Sequence, residues 1–273
     1  MFTFLPLTKP ILTKTMENTP KGYHPEPYWS EVAKKIKQRK GQNIMAGDDE
    51  PFYRYKRARF LQMLRTLSFT NKKVLELGSG PGGNLIEVYK SGPSQLVGAD
   101  ISSEMIQIAG ENVPQDIELV KIDGQKLPFE DRSFDLVFSV TVLQHNSDEN
   151  MMTNILKEMC RVSNGEVALF ERVEKELKGD DLCMGRPIDL YAKICEAQGF
   201  KLKSTEHINI RASYLVCGAY RKGLNPPSRK EGDPLSPLSF RLQQISLPFT
   251  KLIDKVLASP TDLTKMVFER NPS

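Results

Sequence analysis

Little in this chain points to metal, disulfide or membrane chemistry. Its four cysteines, Cys160, Cys183, Cys195 and Cys217, contain no C-x-x-C pair. Neither a zinc ribbon nor a disulfide framework is indicated, and a reducing, cytoplasmic setting is the expectation. No stretch approaches the roughly 18 to 20 apolar residues that span a bilayer, so the body of the protein is expected to be soluble. Charge of neither sign dominates: 38 Lys and Arg face 34 Asp and Glu, a formal +4 with pI near 8.7. That falls short of the basic footprint of a dedicated nucleic-acid binder, and no nucleic-acid partner is expected.

What is present suits one large α/β domain with appendages, since 273 residues can enclose a sizeable core. Residues 1–24 read as a leader whose opening stretch, MFTFLPLTKPILTK, is apolar, with Lys9 and Lys14 and no acid before Glu17, but Pro6 and Pro10 interrupt any helix. A disordered leader, or a translation start at Met16, accounts for them as well as a targeting segment does. Residues 25–70 read as a helical cap: Trp29, Val32 and Ile36 share one helical face, then Tyr53, Phe60, Leu64 and Leu67 another, with Pro51 near a helix start. KKIKQRK within it reads as a solvated face.

From Lys73 short apolar runs alternate with helical patterns. VLELG (74–78), QLVGAD (95–100), IELVKID (117–123), FDLVFSV (134–140) and EVALFER (166–172) lack clean alternation, as strands buried on both faces of a parallel sheet do. KLKSTEHI and SYLVCGAY follow as two further strands, close enough to form a hairpin. The expected divisions are therefore a catalytic domain over 71–222, a Pro-rich linker over 223–239 and an amphipathic tail over 240–273. Leu242, Ile245, Phe249, Leu252, Ile253 and Val256 share a face of that tail, which is expected to dock on the domain, with a weak membrane-surface or partner contact as the other reading.

Gly78, Gly80 and Gly83 satisfy G-x-G-x-x-G between the first strand and a helix, and Asp100 lies twenty residues past Gly80, where a ribose ligand is expected. Glycines let the backbone turn sharply against a ligand, and an acid can accept two ribose hydroxyl protons. That much admits a dinucleotide. Glu76 argues otherwise, since its charge beside a pyrophosphate gains little, whereas an ammonium or sulfonium tolerates it. Asp123 and Gly124 end the third strand with a carboxylate and an amide that an adenine edge can use. Thr141, Gln144 and His145 form a polar turn after the fourth strand, at the carboxyl edge where ligands bind in such sheets. No Lys-Ser/Thr follows the glycines, so a P-loop is absent.

The stretch from about 73 to 220 resembles the class I S-adenosylmethionine-dependent methyltransferases of the ubiquinone-methyltransferase-like type. The resemblance is carried by ELGSGPG (Glu76 to Gly82), AD-IS-M (Ala99 to Met105), D-G-LPF (Asp123 to Phe129) and FDLVFSVTVLQH (Phe134 to His145). It implies a Rossmann-like seven-stranded α/β sheet, order 3-2-1-4-5-7-6 with strand seven antiparallel, helices on both faces, and S-adenosyl-L-methionine as cofactor. It also implies that Gly78, Ser79, Gly80 and Gly82 line the methionine moiety with Glu76 near its amino group. Asp100 would hold the ribose, Ile101 and Met105 would flank the adenine, Asp123 and Gly124 would meet its edge, and Val140 would close the pocket. Methyl transfer from a sulfonium asks the protein for alignment and, with a hydroxyl acceptor, a base; it requires no metal. Substrate is expected between Tyr53, Arg54 and Tyr55 and the segment RVEKELKGDDLCMGRPIDLY (172–191), with Tyr53, Tyr55, Thr141, Gln144 and Arg186 as contacts and His145 as candidate base. The expected reaction is methylation of a small-molecule acceptor, at oxygen first, with an RNA or protein acceptor or a non-catalytic scaffold as alternatives.

Overall fold

The computed structural model describes residues 24–39, 44–46, 48–230, 232–259 and 261–272. The expected leader lies outside them, save for His24. Two helices come first, α1 (Pro25–Lys37) and α2 (Pro51–Leu64), each with proline in its first turn, where a missing N–H costs nothing. Then follow β1 (Lys73–Leu77), α3 (Gly83–Tyr89), β2 (Gln95–Asp100), α4 (Ser103–Asn112), β3 (Glu118–Lys121) and β4 (Phe134–Val140). A 3₁₀ turn (Leu143–His145) leads into α5 (Glu149–Val162) and β5 (Ser163–Val173). A two-residue ribbon pairs β6 (Lys178–Gly179) with β7 (Met184–Gly185), and α6 (Ile188–Glu196), β8 (Phe200–His207), α7 (Arg211–Gly223), α8 (Pro237–Asp254) and β9 (Asp262–Arg270) complete the order.

The main sheet runs β3-β2-β1-β4-β5-β9-β8. Its first five strands are parallel, and β9 is antiparallel to both β5 and β8. The expected seven-stranded order is therefore present, with a different segment as strand seven. SYLVCGAY is not a strand but the body of α7, and the strand expected there is supplied by β9, inside the stretch read as a separate tail. A catalytic unit closing at residue 222 would lack the strand that joins β5 to β8, so the sheet extends to Arg270. The described residues between Gly223 and Pro237 form neither helix nor strand, but they are bound down: Asp48 accepts from Arg229 Nη2 (2.8 Å) and Gly232 N (2.9 Å).

Helices cover both faces. On one, Ile155 and Met159 of α5 and Tyr191 and Cys195 of α6 pack on Leu75, Val137 and Val167; on the other, Phe60 and Leu64 of α2, Leu85 of α3 and Cys217 of α7 pack on Val74, Leu136 and Phe170. At the β3 end of the sheet, Val32, Ala33 and Ile36 of α1 close over Met105 and Ile108 of α4, which bears out the helical face read in α1.

Helix α8 inverts the expected arrangement. Ser239, Gln243, Leu247, Thr250 and Asp254 face inward, while Ile245 (65% exposed), Phe249 (67%) and Leu252 (62%) face outward. The reason is capping. Neither α2 nor α7 has a side-chain cap of its own. Gln243 Oε1 accepts from Phe52 N (3.0 Å) at the start of α2, and Asp254 Oδ1 accepts from Ala212 N (2.7 Å) and Ser213 N (3.2 Å) at the start of α7. First-turn amides need acceptors, and here a third helix brings them.

Phe268 is fully buried in β9 and Val256 is exposed just past the end of α8. Phe268→Ala is expected to cost about 3 to 5 kcal/mol, and Val256→Ala less than about 0.5 kcal/mol, in equilibrium denaturation. Equal, small losses would mean that β9 is not integral to the sheet.

Candidate functional site

The site is assembled at the carboxyl ends of β1, β4 and β5. After β1 the chain enters a turn in which Gly78, Gly80 and Gly82 all have positive φ (72°, 52° and 87°). At Gly78 a Cβ would lie 2.2 Å from Val142 Cγ2, so both the dihedral and the close approach of the β4 turn require glycine. Gly78 N and Ser79 N donate to Ala99 O (2.7 and 3.1 Å), and Gly80 N donates to Asp100 Oδ2 (2.8 Å). Asp100 Oδ1 accepts from Ser102 N (2.8 Å). The glycine turn is thereby fastened to the end of β2 by a buried carboxylate.

Glu76, at the end of β1, is fully buried. Its Oε1 accepts from Asn84 Nδ2 (2.7 Å), and Asn84 Oδ1 accepts from Arg57 Nη1 (3.2 Å), whose Nη2 donates to Gly83 O (2.9 Å). Glu76 Oε2 and the nearby Ser79 Oγ are buried without a hydrogen-bond partner among the described residues. Burial pushes the Glu76 carboxyl up to about 8, only partly offset by the Asn84 bond and the Arg57 charge. Glycines that tolerate no Cβ, beside an unpartnered buried acid, fit a ligand that brings a cationic group to this turn.

The turn after β4 is held from both sides. Thr141 has φ of 55°, a left-handed conformation uncommon for a β-branched residue, and its N–H donates to Phe170 O (2.8 Å). Glu171, buried in β5, then accepts from Val142 N, Leu143 N and Gln144 N (3.1, 3.1 and 3.0 Å) and from Ser139 Oγ (3.2 Å). Desolvation pushes its carboxyl up to about 7 against those four donors. Arg186 serves the opposite pole: Nη1 donates to Leu143 O (2.8 Å), Nη2 to Asn146 O (2.5 Å), and Nε to Glu149 Oε1 (2.9 Å). One carboxylate takes the N–H groups of the turn, and one guanidinium takes its carbonyls.

What the turn presents is His145 and Gln144. His145 Nδ1 lies 2.5 Å from Leu182 O, which can only accept, so Nδ1 carries a proton toward it. Nε2 lies 3.4 Å from the Gln144 amide nitrogen, and Gln144 Oε1 accepts from Arg172 N (2.8 Å). The Trp29 ring of α1 meets the imidazole edge-on at 5.1 Å.

These groups border a cavity of about 1170 Å³ whose walls include Gly78, Ser79, Gly80, Val140, Thr141, Gln144, His145 and Tyr53. The segment after β5 walls it too, through Arg172, Glu174, Leu182 and Cys183, as its length led one to expect. Its cations are largely matched: Lys56 with Asp262 (3.0 Å), Arg172 with Glu174 (2.8 Å), Arg221 with Glu50 (3.0 Å) and Asp48.

Other expected site residues lie elsewhere. Tyr55 faces α8, its hydroxyl donating to Asp254 Oδ2 (3.2 Å), and so is not a cavity residue. Arg186 is wholly buried and fully bonded, because the β4 turn needs its donors, and it does not reach the cavity. Ile101, Met105, Asp123 and Gly124 lie off the cavity wall, as do Glu76, Gly82 and Asp100. Met105 is core between α4 and α1, and Asp123 Oδ1 caps its own turn at Gln125 N (2.8 Å) and Lys126 N (3.1 Å). Sequence reading missed Glu171, Asn84 and Arg57. Only Glu171 left a signal, as an acid inside a strand buried on both faces.

With that geometry in view, residues 74–165 match the family described as methyltransferase domain. Over 110 residues the chain is 34% identical to malonyl-[acyl-carrier protein] O-methyltransferase of Legionella pneumophila, covering 39% of this chain and 38% of that protein. It is 28% identical over 118 residues to tRNA U34 carboxymethyltransferase of Nautilia profundicola, covering 42% and 38%. The chain thus spans under two fifths of the length of either relative. The fold is also that of magnesium protoporphyrin IX methyltransferase from Synechocystis PCC 6803, solved with bound S-adenosylmethionine, at TM-score 0.56 and 12% identity over 90% of this chain and 95% of that one. The matched domain over residues 74–165 and the shared fold make the chain similar to S-adenosylmethionine-dependent methyltransferases.

Both buried glutamates take up protons on folding, since their folded values, about 8 and about 7, lie above the ordinary 4.5. A raised acid contributes stability that is complete below the ordinary value and is lost as pH climbs through the folded one. Unfolding free energy is therefore expected to fall from pH 4.5 towards 8, each group contributing at most about 1.4 kcal/mol per pH unit inside its window. Glu76→Gln should make that slope shallower, most visibly between pH 7 and 8, in denaturant melts at stepped pH. An unchanged slope would place the Glu76 carboxyl back in the ordinary range.

Proposed function

We propose that the chain binds S-adenosyl-L-methionine at the glycine turn and transfers its methyl group to a small-molecule acceptor, with oxygen as the acceptor atom. The observation that carries the reading is the juxtaposition, on the wall of one cavity, of Gly78, Ser79 and Gly80, with the buried Glu76 at the strand end before them, and an oriented imidazole. The cofactor, when bound, supplies the electrophilic methyl and its own leaving group.

The protein contributes alignment and a proton acceptor. Gly78, Ser79 and Gly80 form the floor for the methionine end, and Glu76 faces its ammonium from behind Asn84. Asp100, through Gly80 N, keeps the turn in shape, and its remaining lone pairs are the candidates for ribose. Asp123 and Gly124 remain the candidates for the adenine edge, with Ile101 beside Gly124 and Met105 below α1. His145 takes the acceptor's hydroxyl proton at Nε2, while Nδ1–H stays on Leu182 O and so fixes the tautomer. Tyr53 and Thr141 shape the acceptor side. A largely paired set of wall cations favours a small acceptor over a polyanion, although one relative in sequence acts on tRNA.

Purified protein incubated with methyl-labelled cofactor and, separately, fractionated metabolites, tRNA and protein tests the acceptor class. Label in the metabolite fraction is the expected result, and label confined to tRNA would replace this reading. With an acceptor in hand, His145→Ala is expected to lower kcat about 10² to 10⁴-fold while S-adenosylhomocysteine binding, followed by calorimetry, changes little. An equal loss in both would make His145 a pocket wall and not a base.

A further inference from the structure

The inverted helix α8 leaves an apolar stripe on the outside of the molecule, and nothing in the methyltransferase reading uses it. Ile245, Phe249 and Leu252 follow one another at intervals of four and three residues, so they line one face of α8; Leu238 extends it toward the start of the helix, and Val256 is exposed just past its end. The neighbouring helix α7 adds exposed Tyr214 and Leu215. A patch of this kind on a soluble fold marks an interaction surface.

The charges around it select the occupant. Arg241, Lys251 and Lys255 flank the stripe, and α7 adds Arg211 and Lys222. The only acid in α8 is Asp254, which is buried and committed to the start of α7; α7 contains none. The two helices therefore present aliphatic and aromatic side chains with cations beside them, and neither adds an exposed carboxylate. A second copy of the chain meeting it face to face would set these cations against their own kind. A surface of anionic lipid headgroups over acyl chains matches both components at once.

We propose that the outer face of α7 and α8 docks on anionic lipid bilayers, with Ile245, Phe249, Leu252 and Val256 entering the headgroup boundary and Arg241, Lys251 and Lys255 meeting lipid phosphates. The inference stands apart from the acceptor assignment, since a chain that transferred no methyl group would still bind through this face. Its geometry has one bearing on the cavity: Arg211 and Tyr214 belong to α7 and also to the cavity wall, so docking holds that wall close to the bilayer.

Co-sedimentation of the full chain with vesicles of equal parts phosphatidylcholine and phosphatidylglycerol, and with phosphatidylcholine alone, tests it. Binding to the anionic vesicles is expected, weakening as salt is raised from about 0.05 to about 0.5 M. The pair Ile245→Glu and Phe249→Glu, and separately the pair Arg241→Glu and Lys255→Glu, are each expected to lower the partition constant at least about tenfold. These positions are exposed, and circular dichroism should show the fold unchanged. No vesicle binding, equal binding to phosphatidylcholine alone, or binding indifferent to the apolar pair would overturn the proposal. A concentration-dependent dimer in sedimentation velocity that the apolar pair dissolves, with vesicles left unbound, would do so in favour of a second copy.

Discussion

Glu171 holds a backbone that would otherwise have no reason to keep its shape. Three consecutive amides after β4 point into the protein, where an unmade bond costs about 1 to 3 kcal/mol each, and the preceding residue sits in a left-handed conformation. A single buried carboxylate satisfies all three and the Ser139 hydroxyl besides. Because Glu171 and Arg172 are adjacent in β5, the bond from Arg172 N to Gln144 Oε1 fixes the side chain of the turn by the same strand that fixes its main chain. Arg186 completes the arrangement from the carbonyl side. The position of His145 is thus decided by β5 and the segment after it, not by its own loop.

A parallel relation governs the other half of the site. Asp100 ends β2 and holds Gly80, while Arg57 of α2 orients Asn84, and Asn84 orients Glu76. In this half of the site, two buried polar atoms have no partner among the described residues: Glu76 Oε2, at the strand end before the glycine turn, and Ser79 Oγ, within it. Buried polar groups in native proteins are seldom without partners, so the two that remain are where a ligand's donors would be expected to go.

The first five strands could be read from the sequence because each is a run of apolar residues closed by a glycine, acid or polar turn. SYLVCGAY misled because aromatic and branched residues at short spacing fit a strand as well as a helix. The difference is decided by Asp254, some forty residues on, which caps the first turn of α7. Conversely, β9 was hidden by its own polar residues. Thr264 and Lys265 break the apolar run, yet both are buried, with Lys265 Nζ bonded to Thr66 Oγ1 (2.6 Å) and Glu206 Oε2 (2.5 Å). The tail helix was read as amphipathic correctly and oriented wrongly, since no periodicity reveals that two other helices need its polar side. Of the site, the glycine turn stood out as a local motif and His145 as a histidine in the turn after β4, whereas the groups that hold them, Asp100, Glu171 and Arg186, and the contacts that claim Tyr55, come from far away in the chain.

The place of β9 between β5 and β8 also sets the order in which this protein can be built. Strand β8 emerges from synthesis before its only neighbour in the sheet, and two helices must follow before that neighbour arrives. Until then β5 and β8 both present unpaired backbone, and pairing across so long an intervening stretch is slow to nucleate. Newly made chains are at that stage open to strand exchange with one another. Lys201 and Lys203, on either side of Leu202 in β8, counter this, because a strand studded with charge is a poor template for a foreign edge. Those lysines then find Glu269 and Glu166 once β9 is home, so the same side chains that guard the unfinished sheet bind the finished one.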